Sequence, residues 1–499
     1  MKKKELIIIL GSLLIVVLSV TLAYFTTEIF GSGKDISVES TDLKIIFTAG
    51  TGTIAGTEIV PGWSSGVNTF TVKNESNSAY KYNIVIKDLV NTFATKGYLL
   101  YKITSADGGY NMGDFKDVPK SSTQKDKVLA YSVEIAKGDT HTYSVEFKYE
   151  NSSEVDQSDD MGRILSGTLY IEKGTLPLTL AEKLLEDNPT IQTRSSFSAI
   201  FTTTNTGTLY KETESIAGST AKDVYYFAGD AKNNWVKFAG FYWRIIRTNH
   251  DGSVRLLYSG TATDTARGYI GASAFNSSYN NPMYVGYMYG TTGNLASNRT
   301  NENNSTIKGV IDTWYSNNLS SYSKYISTDA VYCNDRKAPS YNASSSFEYY
   351  VYTRLNAGNP TYDCEDAKDA FSGSNSEAKL TYPIALATID ELMYAGGKYG
   401  TNLSSPYAWY YLNSAGGSIT GSIYWWLLSP SSWDGGRHAR AYSRIVRGDN
   451  SPGGLTSGIV STSAGVRPAI SLKTCALWTS GNGAPETPYE ISLDTDISC

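Results

Sequence analysis

The densest combination of aromatic and polar side chains in the sequence lies in one stretch near its C-terminal end. Aromatic rings stack against sugar and peptide faces, and neighbouring polar groups fix the orientation of such ligands. A Gly-Gly pair inside the stretch indicates an exposed loop, where binding residues are common. Together these features predict a ligand site formed by Trp426, Trp433, Asp434, Arg437, His438 and Tyr442.

The same stretch also has a purely structural interpretation. Alternation along a strand turns one of the adjacent Trp425 and Trp426 toward the core, and core packing is the favoured role for both. For residues 433–438, core packing and ligand contact stay equally open. Farther along, Arg467 is expected to be a buried arginine paired with an acid, rather than a binding group for an anion.

Two acidic runs raise the question of calcium binding. Asp156, Asp159 and Asp160 carry the hard oxygen ligands that calcium prefers, but their spacing is not that of an EF-hand loop. A solvated loop is therefore the favoured interpretation of this first run. The second run, at residues 363–369, is interpreted as the solvated start of a helix.

Motifs for catalysis are absent from the sequence. The three histidines, His141, His250 and His438, lie far apart and fit no zinc spacing. The chain contains no Ser-His-Asp order, nucleophile elbow, phosphate-binding loop or dinucleotide fingerprint. A pair of carboxylates for glycoside cleavage needs only spatial proximity, so that arrangement stays open. We predict a protein without a cofactor, without a metal and without enzymatic activity.

Composition and charge narrow the class of protein. Lys and Arg number 43 against 48 Asp and Glu, a formal net charge of −5, whereas nucleic-acid binders usually carry a basic surface. Charged residues make up only 18% of the chain, while Tyr (38) and Gly (45) are frequent. This composition is typical of an extracellular β-rich protein, and no nucleic-acid partner is expected.

The N-terminus predicts export from the cytoplasm. A lysine run at residues 2–4 precedes an uncharged, largely apolar stretch at residues 6–27. Its length fits a membrane-spanning helix of about 20 residues better than a signal-peptide core of about 7–15, although Thr21-Leu22-Ala23 offers a cleavage site. We therefore predict a signal peptide or membrane anchor at residues 1–30, with the rest of the chain outside the cell.

The four cysteines all lie in the second half of the chain. An oxidising compartment permits disulfides, and four cysteines allow three pairings. Pairing Cys333 with Cys364 and Cys475 with Cys499 closes the shortest loops, and free buried thiols are the alternative. No Cys-x-x-Cys occurs, which argues against thioredoxin-like chemistry and zinc ribbons.

The first half of the chain is rich in predicted strands. Residues 35–173 contain several short strands in which apolar and polar side chains alternate, separated by turn sequences. This pattern favours a β-sandwich over an α/β fold. Residues 174–222 are interpreted as a linker that contains one short helix at 178–188.

The second half mixes strands with helices. Residues 223–491 form this predicted domain, with one helix at 305–319 and another that starts at Thr388. Thr388 and Glu391 have the spacing of a capping box, which fixes the start of the second helix. A tail follows at residues 492–499. The predicted fold class is therefore mainly β, with an α+β C-terminal domain.

Two motifs of the first half carry a family resemblance. The basic and apolar leader ends in Leu22-Ala23-Tyr24-Phe25-Thr26, and Val60-Pro61-Gly62 precedes a strand at 69–74. In both features the chain resembles the TasA and camelysin group of bacterial surface and biofilm-matrix proteins. The resemblance implies a jelly-roll-like β-sandwich that can assemble into fibres.

A second set of motifs characterises the C-terminal half. Its members are Phe238-Ala239-Gly240-Phe241-Tyr242-Trp243-Arg244, Cys333-Asn334-Asp335-Arg336, Trp425-Trp426-Leu427-Leu428-Ser429-Pro430, Gly465-Val466-Arg467-Pro468 and Gly481-Asn482-Gly483. They resemble an uncharacterised domain of Gram-positive surface proteins. Their order is similar to the formylglycine-generating-enzyme branch of the C-type-lectin-like fold. Those enzymes use a close pair of cysteines near the C-terminal strands, which this sequence does not match, so the resemblance implies no activity.

These observations lead to one favoured function and two alternatives. The favoured function is adhesion by a membrane-anchored or secreted protein on the outside of a Gram-positive cell, through an extracellular glycan or protein ligand of the lectin-like domain. The first alternative is a fibre or matrix subunit that donates the segment from Lys34 to Phe47 to a neighbouring sheet edge. An enzyme of unknown chemistry in the second domain is the third possibility.

Overall fold

The fold is mainly β, with 40% of residues in strands and 13% in helices. The computed structural model describes residues 36–40, 43–49, 59–76, 78–174, 178–201, 204–205, 207–263, 268–400, 409–410, 424–436, 440–447 and 454–493. The chain divides into two compact units between residues 176 and 177, and each unit is described by itself.

The described residues of the first unit form antiparallel strands and one short 3-10 helix, Ser158–Asp160. The strands are β1 (Ile36–Ser40), β2 (Leu43–Ala49), β3 (Trp63–Ser64), β4 (Asn68–Asn74), β5 (Tyr80–Asn91), β6 (Leu99–Ser105), β7 (Lys116–Asp117), β8 (Ser121–Ile135), β9 (Thr140–Tyr149) and β10 (Leu165–Lys173). One sheet has the order β1-β2-β4-β9-β6-β7, with β3 also paired to β9, and the other has the order β10-β5-β8.

Both sheets of the first unit contribute to one hydrophobic core. In β4 the side chains alternate between buried and more exposed positions, so that Phe70 and Val72 are buried. Ile84 and Ile86 of β5 join the same core from the other sheet. The alternation read from the sequence therefore has a direct structural cause, because successive strand residues point to opposite faces.

The second unit has more and shorter strands. They are β11 (Thr190–Gln192), β12 (Thr204–Asn205), β13 (Thr208–Glu214), β14 (Lys222–Tyr226), β15 (Asp230–Ala231), β16 (Trp235–Phe238), β17 (Phe241–Thr248), β18 (Val254–Tyr258), β19 (Gly271–Ser273), β20 (Met288–Tyr289), β21 (Asn303–Asn304), β22 (Tyr332–Cys333), β23 (Phe347–Glu348), β24 (Ala370–Phe371), β25 (Ala385–Leu386), β26 (Tyr424–Asp434), β27 (Arg440–Arg447), β28 (Leu455–Ile459), β29 (Ala464–Val466), β30 (Pro468–Leu472), β31 (Trp478–Ser480) and β32 (Tyr489–Ile491). Two larger sheets organise the unit: one follows β11-β13-β14-β17-β16-β32-β31 with β18, β25 and β30 attached, and the other follows β19-β29-β26-β27-β28 with β23 attached.

Five α-helices lie in the described part of the second unit. They are α1 (Leu180–Asp187), α2 (Leu295–Asn298), α3 (Thr306–Asn318), α4 (Tyr350–Asn356) and α5 (Ile389–Tyr394), and 3-10 helices occur at Pro282–Val285 and Ser320–Tyr325. The predicted helix starts are confirmed. Ser305 caps α3, and the side chains of Thr388 and Glu391 form the capping box of α5.

The segment predicted to be a linker, residues 174–222, belongs largely to the second unit. Helix α1 buries Leu180 and Leu184 in the core of that unit, and β13 and β14 extend its larger sheet. The interpretation of this segment as a linker is therefore corrected, because burial of Leu209 and Tyr210 gives it a packed role.

The two ends of the chain contribute little to this description. The predicted leader at residues 1–30 and most of the predicted tail, residues 494–499, lie outside the described residues. Within the described ranges, no helix is both long enough and apolar enough to cross a membrane.

Candidate ligand-binding cavity

A cavity of about 660 Å³ opens in the second unit beside helix α4. Tyr350, Thr353 and Arg354 line it from one face of that helix. Val351 and Leu355, on the opposite face, are buried in the core. The spacing of three and four residues on a helix produces this division, so α4 holds its polar face toward the cavity by packing its apolar face.

The Cys333–Cys364 disulfide forms part of the cavity wall. It joins β22 to the loop of residues 357–369, and the two Cα atoms lie 5.6 Å apart. The same loop runs into β24, which pairs with β22. The middle of the loop and its C-terminal end are therefore attached to one strand pair. Of the possibilities that the sequence leaves open, the structure shows the short-loop pairing of these two cysteines, whereas Cys499 lies outside the described residues.

Asp335 has an unusual backbone conformation at the cavity wall. Its φ angle is +41°, in the left-handed region that costs a non-glycine residue about 1–3 kcal/mol. Its Oδ2 atom lies 2.8 Å from Nη2 of Arg354, which also contacts Oδ1 of Asp390 at 3.1 Å. Burial raises the pKa of Asp335 to about 6 and also raises the pKa of Asp390. One arginine thus holds the buried carboxyl group of Asp390 and the partly exposed one of Asp335.

A second ion network supports the wall from behind. Asp369 accepts from Nε of Arg336 at 2.6 Å, and its other oxygen lies 3.1 Å from Nη2 of Arg299. The same Arg299 nitrogen also pairs with Asp366. These contacts hold the end of the loop in place. The predicted solvated helix start at residues 363–369 is therefore wrong, because these residues form an irregular wall and a turn.

A smaller inner chamber of about 20 Å³ adjoins the cavity. It shares Asp335, Arg354 and Asp363 with the main cavity and reaches Tyr362 and Glu391 at greater depth. Within the described ranges the hydroxyl of Tyr362 has no hydrogen-bond partner, although the residue is only 5% exposed. A chamber of this volume accommodates one water molecule, which is the partner that such a hydroxyl requires.

The aromatic stretch predicted to bind a ligand has a different environment. Trp426 and Trp433 are buried, and their indole nitrogens donate to the carbonyls of Ser273 and Ala343. These two rings therefore serve the packing of β26. Alternation in the sequence already indicated a core role for Trp426.

The polar members of that stretch remain candidates for contact. Asp434 and Tyr442 are partly exposed, on the paired strands β26 and β27, and Asp434 accepts from the hydroxyl of Ser346 at 3.1 Å. Arg437 and His438 lie outside the described residues. Ligand binding by this stretch stays a prediction.

Two further candidates have structural roles. Arg467 is buried as expected, but it donates to the carbonyls of Tyr258 and Tyr410 at 2.6 Å each, and the predicted acidic partner does not occur among the described residues. Asp160 is buried and accepts from the hydroxyl of Tyr149 at 2.7 Å and from backbone N–H groups. These contacts account for the buried carboxylate without a calcium ion. No group of three potential metal ligands occurs among the described residues.

The cavity itself was missed in the sequence. The Cys333-Asn334-Asp335-Arg336 motif and the acidic run beside Cys364 were both noted, and so was the pairing of these cysteines. Combining the three observations places the acidic run next to Asp335. That combination was the signal from which the cavity could have been predicted.

Comparison with known proteins adds no identification. No family model, curated protein or solved structure matches the chain. The function must therefore be argued from the site itself, because a fold resemblance alone does not define an activity.

Proposed function

We propose that the protein binds an extracellular ligand in the cavity of its second unit, as a non-catalytic adhesion or recognition protein of the bacterial cell surface. The observation that carries this proposal is the cavity at α4. Its volume of about 660 Å³ falls within the usual range of ligand sites, about 300–1,000 Å³. A disulfide and two ion networks hold its wall, so a ligand meets a preformed site.

The location on or outside the cell is part of the proposal. The leader at residues 1–30 has the charge and apolarity of a signal peptide or membrane anchor. The Cys333–Cys364 disulfide is of the kind that persists in oxidising compartments. We further propose a β-sandwich for the first unit, because both its sheets contribute to one core, and a C-type-lectin-like fold for the second, on its motifs.

A catalytic role is less well supported than binding. The two cysteines at the cavity are bonded to each other, and the carboxyl groups of Asp335 and Asp390 share Arg354. Nucleophilic catalysis requires a free, activated thiol or a base within reach of its nucleophile. The features at the cavity therefore favour recognition over chemistry.

A glycan and peptide array probed with the full chain tests the proposal. Thr353→Trp places an indole on the exposed cavity face of α4, and we expect it to abolish binding of the array ligands. Thr313→Trp, on an exposed position of α3, is the matched control and should leave binding intact. If Thr353→Trp binds normally while Asp434→Ala does not, the site lies in the aromatic stretch and the cavity proposal is wrong.

A second candidate function is assembly into fibres. Strand β1 is at the edge of its sheet, next to β2, which pairs with β4. Such an edge segment can exchange with a second copy of the chain. Size exclusion and negative-stain microscopy of the full chain and of a variant lacking residues 34–47 test the idea. A full chain that stays monomeric at all concentrations contradicts it.

A further inference from the structure

The charges around the cavity are not balanced locally. Five carboxylates line it, against the two cations Lys337 and Arg354. Asp366 and Asp369 are neutralised by arginines behind the wall. Lys337 lies 3.0 Å from Glu365, but both side chains are more than half exposed, so this pair is weak and mobile.

Asp363 is the carboxylate at the cavity without a cation among the described residues. Its Oδ1 atom accepts from the backbone N–H groups of Ala217 at 3.0 Å and Cys364 at 2.8 Å, which fixes the side chain. Glu214 lies just beneath and accepts from the N–H of Asp363 at 3.2 Å, again without an ion pair in the described structure. Two fixed carboxylates thus make this part of the wall negative.

An aromatic ring at the same cavity complements the negative wall. Tyr350 lines the cavity and is 40% exposed, and the ammonium nitrogen of Lys337 lies 5.8 Å from the centre of its ring. The face of an exposed tyrosine attracts a cation or covers the aliphatic part of a long side chain. A ligand that reaches Asp363 past Tyr350 therefore meets both features that favour a long cationic side chain.

The inner chamber supplies an independent sign of an incomplete site. Among the described residues the buried Tyr362 hydroxyl has no hydrogen-bond partner, and leaving it so costs about 1–3 kcal/mol. Tyr362 is the chain neighbour of Asp363 and is one of the residues that line the chamber.

We infer that the cavity binds the side chain of a lysine or arginine on a protein or peptide ligand, with Asp363 as its charge partner and Tyr350 against its stem. The inference rests on the proposed binding function of the cavity. An anionic ligand is repelled by Asp363 and Glu214. A metal ion finds no group of three ligands in the described part of the chain.

Calorimetry with the full chain and three capped tripeptides, Ac-Ala-X-Ala-amide, tests the inference. Lysine, norleucine and glutamate at X have similar length but different charge. We expect the lysine peptide to bind at least about tenfold more tightly than the norleucine peptide, and the glutamate peptide not to bind. Added salt should weaken only the binding of the lysine peptide.

Asp363→Asn is the decisive variant, because the amide oxygen keeps both backbone hydrogen bonds while the charge is lost. It should reduce the affinity for the lysine peptide by about tenfold and leave the norleucine peptide unchanged. Asp156→Asn, at an exposed position of the first unit, is the matched control and should change neither affinity. Tyr350→Ala should weaken the binding of both peptides, because both place an aliphatic stem against the Tyr350 ring.

The outcomes separate this inference from the proposed function. Equal affinity for lysine and norleucine peptides, no binding of the lysine peptide at millimolar concentration, or an Asp363→Asn variant with unchanged affinity overturns the inference. If array ligands still lose binding in Thr353→Trp, the cavity remains the binding site for another class of ligand. If they do not, the proposed function also fails.

Discussion

The two units of the molecule differ in what they bury. Among the described residues of the first unit, the buried acidic or basic side chains are Asp160 and His141. In the second unit they are Arg244, Arg247, Arg255, Arg299, Lys308, Arg336, Asp369, Asp390, Glu391, Arg444 and Arg467. The first unit thus has a core of alternating strands, whereas the core of the second unit holds many charged groups.

This difference indicates that the buried charged groups of the second unit serve its function more than its folding stability. Removing a charge from water costs several kcal/mol unless partners compensate it, so charged cores are poor stabilisers. Proteins that keep such groups generally use them at sites where geometry or charge must be held. In the second unit Arg354 lines the cavity, and Arg336 supports its wall through Asp369. The first unit depends on the burial of apolar side chains for its stability.

The largest effect is expected for the buried cluster of Glu391. It lies 3.0 Å from Nε of Arg247 and 3.8 Å from Nη1 of Arg255, and all three side chains are buried. Glu391→Gln leaves two buried guanidinium groups uncompensated, and we expect about 3–5 kcal/mol of destabilisation in urea unfolding. Glu134→Gln, at an exposed pair with Lys81, should change stability by less than about 1 kcal/mol. Similar losses of stability in the two variants would contradict the proposed difference between the buried charges of the second unit and the exposed pairs of the first.

Loss of the cavity disulfide should have the next largest effect. Cys333 and Cys364 are 31 residues apart, and opening such a loop is expected to cost about 3–4 kcal/mol. The double variant Cys333→Ser/Cys364→Ser should lower the unfolding transition of the second unit and weaken ligand binding, since the loop carries Asp363. Calorimetry and the tripeptide assay measure both. Unchanged ligand affinity would show that the disulfide does not shape the site.

A smaller effect is expected in the first unit, at Asp160. Its carboxylate accepts from Tyr149 at 2.7 Å and from the N–H of Thr95 at 3.1 Å. Asp160→Asn replaces an acceptor by a donor, and we expect about 1–3 kcal/mol of destabilisation. Hydrogen exchange should locate the loss in the first unit alone. Calcium should not stabilise the wild-type chain, and a calcium-dependent rise in Tm that Asp160→Asn abolishes would contradict this account.

The last expected effect is a pH dependence of stability that belongs to the cavity. Burial raises the pKa of Asp335 to about 6, against about 3.9 in an unfolded chain. Arg354, Asp390 and Asp369 are the charged groups that act on it. The folded state therefore binds this proton more tightly, and stability falls as pH rises from about 4 to 6. Asp335→Asn should flatten that slope in thermal melts, and an identical slope in both proteins would refute the assignment.

The fold was easier to predict from the sequence than the site. Alternation along β4 and the capping box at Thr388 are local signals, and both correspond to the observed elements. The cavity depends on contacts between distant positions, such as Arg336 with Asp369, 33 residues apart. The acidic run was interpreted as a helix start because its tertiary partners are not visible in a local pattern.

Photocrosslinking tests the central claim most directly, because it maps where a ligand lies. A capped lysine peptide that carries a diazirine is irradiated with the full chain, and the modified residues are identified by mass spectrometry. The account predicts modification within residues 350–369, suppressed by excess unlabelled lysine peptide and by Asp363→Asn. Modification confined to residues 433–442 or to the first unit would contradict it.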